Sequence, residues 1–211
     1  MRQPITPANT LLRELRAQLR QNYPAGRILV GVDGLPAVDT ATFADAFAAI
    51  LGEDDTAVFR ASADDFLLPR AQREGSEPAP AWFDEELFRR VLVDPFRNGR
   101  QTSATTGFQL QGWDTRRNQP FEARWVTAPE DAVLVIDGAY LNTKALHGIW
   151  HYSVWLELPD ETYAARPGRS MDAPHTPAEF AYLREQPVQW ASALVDVADP
   201  QRPVQVFRDS C

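Results

Sequence analysis

Apolar residues recur along this chain in two rhythms. Leu11, Leu12, Leu15 and Leu19 fall at helical spacing with Arg13, Arg16 and Arg20 between them, which predicts an amphipathic helix over 8–22. Asn9 or Thr10 is its expected cap. A short apolar run over 27–32 follows and reads as a buried strand. A turn is expected over 33–38. Phe43, Phe47, Ile50 and Leu51 then share one face of a second helix over 39–51. Strand, turn and helix stand in the order of a mononucleotide-binding unit.

Further strands are predicted over 57–61, 132–138, 154–158, 193–197 and 204–207, the run over 132–138 being the clearest. Phe83, Leu87 and Val91 mark another helix, and a last one is predicted over 177–191. The segment 69–81, rich in Pro, Gly and charge, reads as a loop, and 97–129 as loops with short strands. Strands alternating with helices imply one three-layer α/β domain over 1–211, its mostly parallel sheet flanked by helices. There is no internal repeat and no linker.

Composition narrows the function classes. The chain has 211 residues, 44% hydrophobic and 24% charged, with a net charge of −8. That charge argues against a general nucleic-acid binder, which needs a basic stripe, but leaves room for a small anion in a local pocket. No apolar run is long enough to span a bilayer. The start of the chain lacks the apolar block of a signal peptide, and the only cysteine is Cys211. Cytoplasmic residence without intrachain disulfides is therefore expected. Lys144 is the only lysine, so arginine carries the rest of the positive charge. His147, His151 and His175 show no metal-ligand spacing, and His151, at a strand start, is expected to be structural. Of the tryptophans, Trp82 and Trp113 lie in polar segments and are candidates for lining a pocket.

Four ordered motifs bear on function: Gly31-Val32-Asp33-Gly34 with Thr42-Phe43-Ala44 after it; Ala61-Ser62-Ala63-Asp64-Asp65-Phe66 followed by Pro69-Arg70; Val133 to Gly138; and Asp196 to Pro200. Together they resemble the uridine kinase family of P-loop nucleoside kinases. The resemblance implies a P-loop kinase fold, ATP and magnesium as cofactors, and a small-molecule hydroxyl as phosphate acceptor. It implies Asp64 as the carboxylate that accepts the acceptor's proton, and Asp137 as the acidic residue that holds magnesium through water. It places Asp65, Phe66 and Arg70 on the substrate side, and Gly34, Asp39, Thr40 and Thr42 at the phosphate loop. Arg166 and Arg169 fall in the lid region, 163–176, where family arginines contact ATP, although Pro167 and Gly168 interrupt it. The residues also admit plainer readings: Asp64 and Asp65 capping a turn, Asp137 bonding its neighbouring turn, Asp33 bracing a loop and Arg169 simply exposed.

The phosphate loop departs from its pattern, G-x-x-x-x-G-K-[ST]. Aligned on Gly34, the second glycine is Asp39, the lysine is Thr40, and the metal-binding hydroxyl is Ala41. Pro36 withholds an N–H donor. Asp39 is a favourable N-cap whose carboxylate competes for the donors a phosphate would use. Weak or absent ATP binding is expected, with a small-molecule ligand retained. Three hypotheses follow: a degenerate kinase that binds a ligand or regulates; an active kinase with an unusual phosphate site using Arg70, Arg166 or Lys144; and a structural or interaction module.

Overall fold

β1 (Arg27–Gly34) lies at the middle of the sheet because its seven residues after Arg27 are all buried, a pattern only a strand covered on both faces can carry. A computed structural model of the chain describes residues 2–74, 82–99, 107–172 and 175–207. Before β1 runs α1 (Pro7–Asn22), and after it α2 (Thr40–Leu51). The chain continues through β2 (Ala57–Ser62), a 3₁₀ turn (Ala63–Phe66) and the short α3 (Arg70–Arg73). α4 (Glu85–Phe88) passes through a π-helical turn (Arg89–Val93) into α5 (Asp94–Asn98). A small hairpin, β3 (Trp113–Asp114) and β4 (Gln119–Pro120), precedes β5 (Ala132–Ala139) and β6 (Tyr152–Glu157). The rest is α6 (Asp160–Ala164), α7 (Pro177–Arg184), α8 (Pro187–Trp190), β7 (Ala193–Asp196) and β8 (Val204–Val206).

The main sheet has six strands in the order β2-β5-β1-β6-β7-β8, all parallel except the edge pair β7–β8. Alternate side chains of β1 feed two cores. Ile28, Val30 and Val32 join α1 and α2 through Leu15, Leu19, Phe47 and Ile50. Leu29 faces the opposite layer, with Phe88, Leu92, Phe96 and Phe108. This is the expected three-layer α/β domain.

The expected elements differ from the observed ones in three places. α1 is capped by Thr6, whose Oγ1 accepts from Asn9 N at 3.1 Å, not by Asn9 or Thr10. The reason is Pro7, whose fixed φ suits the first helical position. The helix predicted over 177–191 is two pieces, because Gln186 turns left-handed (φ 58°) before Pro187, which cannot continue the backbone ladder. Residues 70–73 of the predicted 69–81 loop are helical, and 75–81 lie outside the described residues.

Candidate active site

The carboxyl ends of β1, β2 and β5 meet at one edge of the sheet, where parallel α/β folds bind ligands. Register brings Gly34 beside Ala139 and Ser62 beside Asp137. Gly138 sits so close to the 3₁₀ turn that a Cβ there would lie 2.6 Å from that of Ala63. The backbone approach packs the two motif segments together.

The loop after β1 is closed upon itself. Leu35 and Val38 are buried in the core. Val38 N donates to Leu35 O at 2.8 Å and Thr40 N to Val38 O at 3.0 Å. Asp39 caps α2, its Oδ1 accepting from Thr42 N at 3.0 Å. Gly34 N donates to Asp33 Oδ1 at 2.8 Å. Asp33 is fully buried and braces two further segments, accepting from Asn142 N at 2.9 Å and from the Tyr182 hydroxyl. Burial raises its carboxyl to about 6, against the pull of those hydrogen bonds.

Asp137, at the end of β5, is 3% exposed. Its Oδ1 accepts from Arg60 Nη2 at 2.9 Å and its Oδ2 from the Thr40 hydroxyl at 3.3 Å. The residue at the lysine position of the motif thus bonds the acidic strand end. Arg60 went unnoticed in the sequence, where it is one residue of an ordinary strand.

A cavity of about 430 Å³ opens beside Asp64, between Pro36 of the closed loop and the segment that starts α7. Its walls include Trp82, Phe83, Tyr140, Leu141 and Arg169. Asp64 is exposed at the cavity; partial desolvation by the atoms packed around it, then the nearby charges of Asp137 and Asp65, push its carboxyl up. Among the described residues Asp64 has no ion-pair partner, whereas Arg169 is held by Glu179. Tyr140 adopts φ 66°, a left-handed conformation uncommon for a bulky side chain and a mark of local strain at the cavity wall. Trp82 lines the cavity, with the Arg73 guanidinium 5.5 Å from its ring centroid. Trp113, in β3, does not line it.

Several residues assigned to the substrate side lie elsewhere. A 3₁₀ turn eclipses residues three apart, so Ala63 and Phe66 both turn inward. Phe66 is wholly buried and stacks edge-on against Phe88 at 5.2 Å. Asp65 accepts from Gln111 Nε2 at 3.0 Å and does not line the cavity. Arg70 is exposed at the start of α3, its N–H donating to Asn118 Oδ1. Arg169 is not a surface arginine: its side chain is 13% exposed, it makes two bonds to Glu179 at 2.7 and 2.6 Å, and it lies over the Tyr163 ring. Arg166 stands apart from it, lining a smaller cavity of about 170 Å³ with Asp39, Thr42, Phe43, Val197 and Pro200. Lys144 is exposed, outside both cavities. His151 is structural, its Nδ1 accepting from Leu29 N at 3.0 Å.

This arrangement of a parallel sheet, a loop from β1 into α2 and an acidic β5 end defines the P-loop kinase class of α/β fold. Solved structures agree. A candidate uridine kinase from Bacillus stearothermophilus superposes with a TM-score of 0.64 at 22% identity, covering 88% of this chain and 98% of that one. A candidate fructose transport system kinase from Silicibacter sp. TM1040 gives 0.59 at 25% identity, over 89% and 93% of the two chains. D-glycerate 3-kinase from Cryptococcus neoformans var. grubii gives 0.51 at 12% identity, over 96% and 100%. No family model and no curated protein matches the sequence. The likenesses establish the P-loop kinase fold, in agreement with the uridine kinase-like resemblance of the motifs.

Proposed function

We propose that this chain is a small-molecule-binding protein on a P-loop kinase scaffold, holding a hydroxyl-bearing compound of nucleoside size beside Asp64 with little or no ATP-dependent phosphotransfer. One contrast carries the reading: the cavity at Asp64 is formed and lined, while the loop that would cradle phosphates is closed on its own hydrogen bonds.

ATP and magnesium do not fit the residues present. Thr42 N, a donor at the start of α2, already serves the Asp39 carboxylate. A phosphate brought to that helix end meets a like charge, a repulsion of about 4 kcal/mol at ~4 Å and an effective dielectric near 20. Ala41 offers no hydroxyl to a metal. On the acceptor side, Asp64 is a carboxylate with no ion-pair partner among the described residues and a raised pKa, suited to accept a hydrogen bond from a ligand hydroxyl. Aromatic walls at Trp82, Phe83 and Tyr140 suit the face of a ring.

Calorimetry with Mg-ATP is expected to give no binding heat at micromolar concentration, and a low-micromolar Kd would defeat the reading. A thermal-shift screen of nucleosides, sugars and related alcohols is expected to yield a stabilising ligand. Asp64→Ala should abolish its effect and Arg70→Ala should not. A hit indifferent to Asp64 places the site elsewhere.

One observation favours a second reading, an active kinase with a rearranged nucleotide site. Arg166 lines a cavity together with Asp39 and Thr42 at the start of α2, where it is available to a nucleotide. Phosphotransfer that is lost in both Arg166→Ala and Asp64→Ala would establish this reading over the first.

A further inference from the structure

The carboxylate that the family resemblance assigns to magnesium is bonded to protein through both of its oxygens. We infer that the guanidinium of Arg60 stands in for the divalent cation at the carboxyl end of β5, so that Asp137 takes no magnesium in this chain. A carboxylate 3% exposed requires a counter-charge, because an isolated ionised group in the interior is strongly disfavoured. In a metal-bearing site that charge is the ion with its retained waters. Here both oxygens of Asp137 already have partners, Arg60 Nη2 at 2.9 Å and the Thr40 hydroxyl at 3.3 Å.

The guanidinium is fixed from several directions. Arg60 Nε donates to Asp45 Oδ1 of α2 at 2.8 Å. Nη1 donates to the carbonyl of Ala61 in its own strand at 2.8 Å and to that of Val135 in β5 at 3.1 Å. The planar fork is thus locked between β2, β5 and α2, and its side chain is only 26% exposed. The Asp45 side chain is 71% exposed and screened by water, so the close pairing is Arg60 with Asp137, with the charge of Asp64 also nearby. A divalent ion entering beside Asp137 would have to displace Arg60 or lie against its positive charge. The alternative ligands are also missing: position 41 is alanine, and among the described residues no group of three His, Cys, Asp or Glu side chains could hold a metal ion. The two changes are complementary. Thr40 and Arg60 together supply to Asp137 what the motif's lysine and metal supply to the charges around them. This assignment does not depend on what the larger cavity holds.

The test compares the wild-type chain with Asp137→Asn, Arg60→Met and Arg60→Met/Asp137→Asn, using electron paramagnetic resonance titration of Mn²⁺ and melting curves in EDTA or millimolar Mg²⁺. The wild type is expected to bind no Mn²⁺ through Asp137 and to melt at the same temperature in both buffers. Arg60→Met is expected to lose roughly 5–15 °C in EDTA, because a buried charge has lost its partner. Mg²⁺ or Mn²⁺ should restore part of that loss, and the double variant should show no such recovery. Wild-type Mn²⁺ binding that disappears in Asp137→Asn overturns the inference, and this measurement decides the matter even if Arg60→Met fails to fold. An unchanged melting temperature in Arg60→Met also overturns it. So does a loss that no divalent ion restores, since Arg60 would then be a plain ion pair and no substitute for a metal.

Discussion

Asp39 caps α2, with Oδ1 accepting from Thr42 N at 3.0 Å. An Asp cap is worth ~1 kcal/mol over alanine, and glycine at the same position costs only a few tenths. Asp39→Ala is therefore expected to lower the Tm by about 2–4 °C in a domain of this size, and Asp39→Gly by less, both read by differential scanning calorimetry. An Asp39→Ala variant as stable as the parent would remove the cap from the account. Asp33 gives a second residue-scale prediction. Its folded pKa of about 6 lies above the unfolded value, so the native state holds this proton more tightly. The resulting stability is fully present below about pH 4 and is lost as the pH rises to about 6. The size of the loss is on the order of 3 kcal/mol. Urea unfolding across this range should show the decline, and Asp33→Asn should flatten it. A parent curve that rises steadily from pH 4 to 6 would contradict the assignment.

At the scale of elements, α7 controls the wall of the cavity opposite Asp64. Its first turn is a capping box in which Glu179 N donates to Thr176 Oγ1 and Thr176 N donates to Glu179 Oε2. The same carboxylate also accepts from Arg169 and from the Tyr163 hydroxyl, so one 1%-exposed side chain ties α6, the segment after it and α7 together. Glu179→Ala should destabilise the protein by roughly 3–5 kcal/mol in chemical denaturation, because Arg169 loses its carboxylate in a mostly buried setting. Glu179→Gln, which keeps an acceptor, should cost distinctly less; equal costs would mean that charge is unimportant here. The capping box went unread in the sequence, although Thr and Glu three residues apart are its local signature. The ion pair was not, because a ten-residue separation across 169–179 matches no local repeat. The helix predicted over 177–191 overlooked Pro187, a local stop signal that the backbone obeys.

For the whole molecule, the ligand site proposed at the sheet edge predicts a pH response. The Asp64 carboxyl is shifted up, because partial desolvation and the charges of Asp137 and Asp65 disfavour its ionised form. If the ionised carboxylate accepts the ligand's hydroxyl, affinity should fall on acidification already above the usual Asp pKa near ~4. Asp64→Asn should remove that dependence; calorimetry with a ligand from the screen tests both. The sequence alone determined the elements around this edge. Continuous apolar runs made β1 and β5 recognisable as buried strands, and the leucine spacing made α1 recognisable as a helix, because burial repeats with the period of the local backbone. Asp39 was legible as a cap for the same reason: the group it serves is three residues away. Only the tertiary structure decided what each polar side chain faces. Arg60 and Asp137 are 77 positions apart, and Thr40 and Asp137 are 97 apart. They meet because β5 pairs with both β1 and β2, and no local period records which strands become neighbours. The inward turn of Phe66, the left-handed Tyr140 and the inward-held Arg169 were likewise fixed by packing between distant segments, where side-chain direction depends on the partner surface.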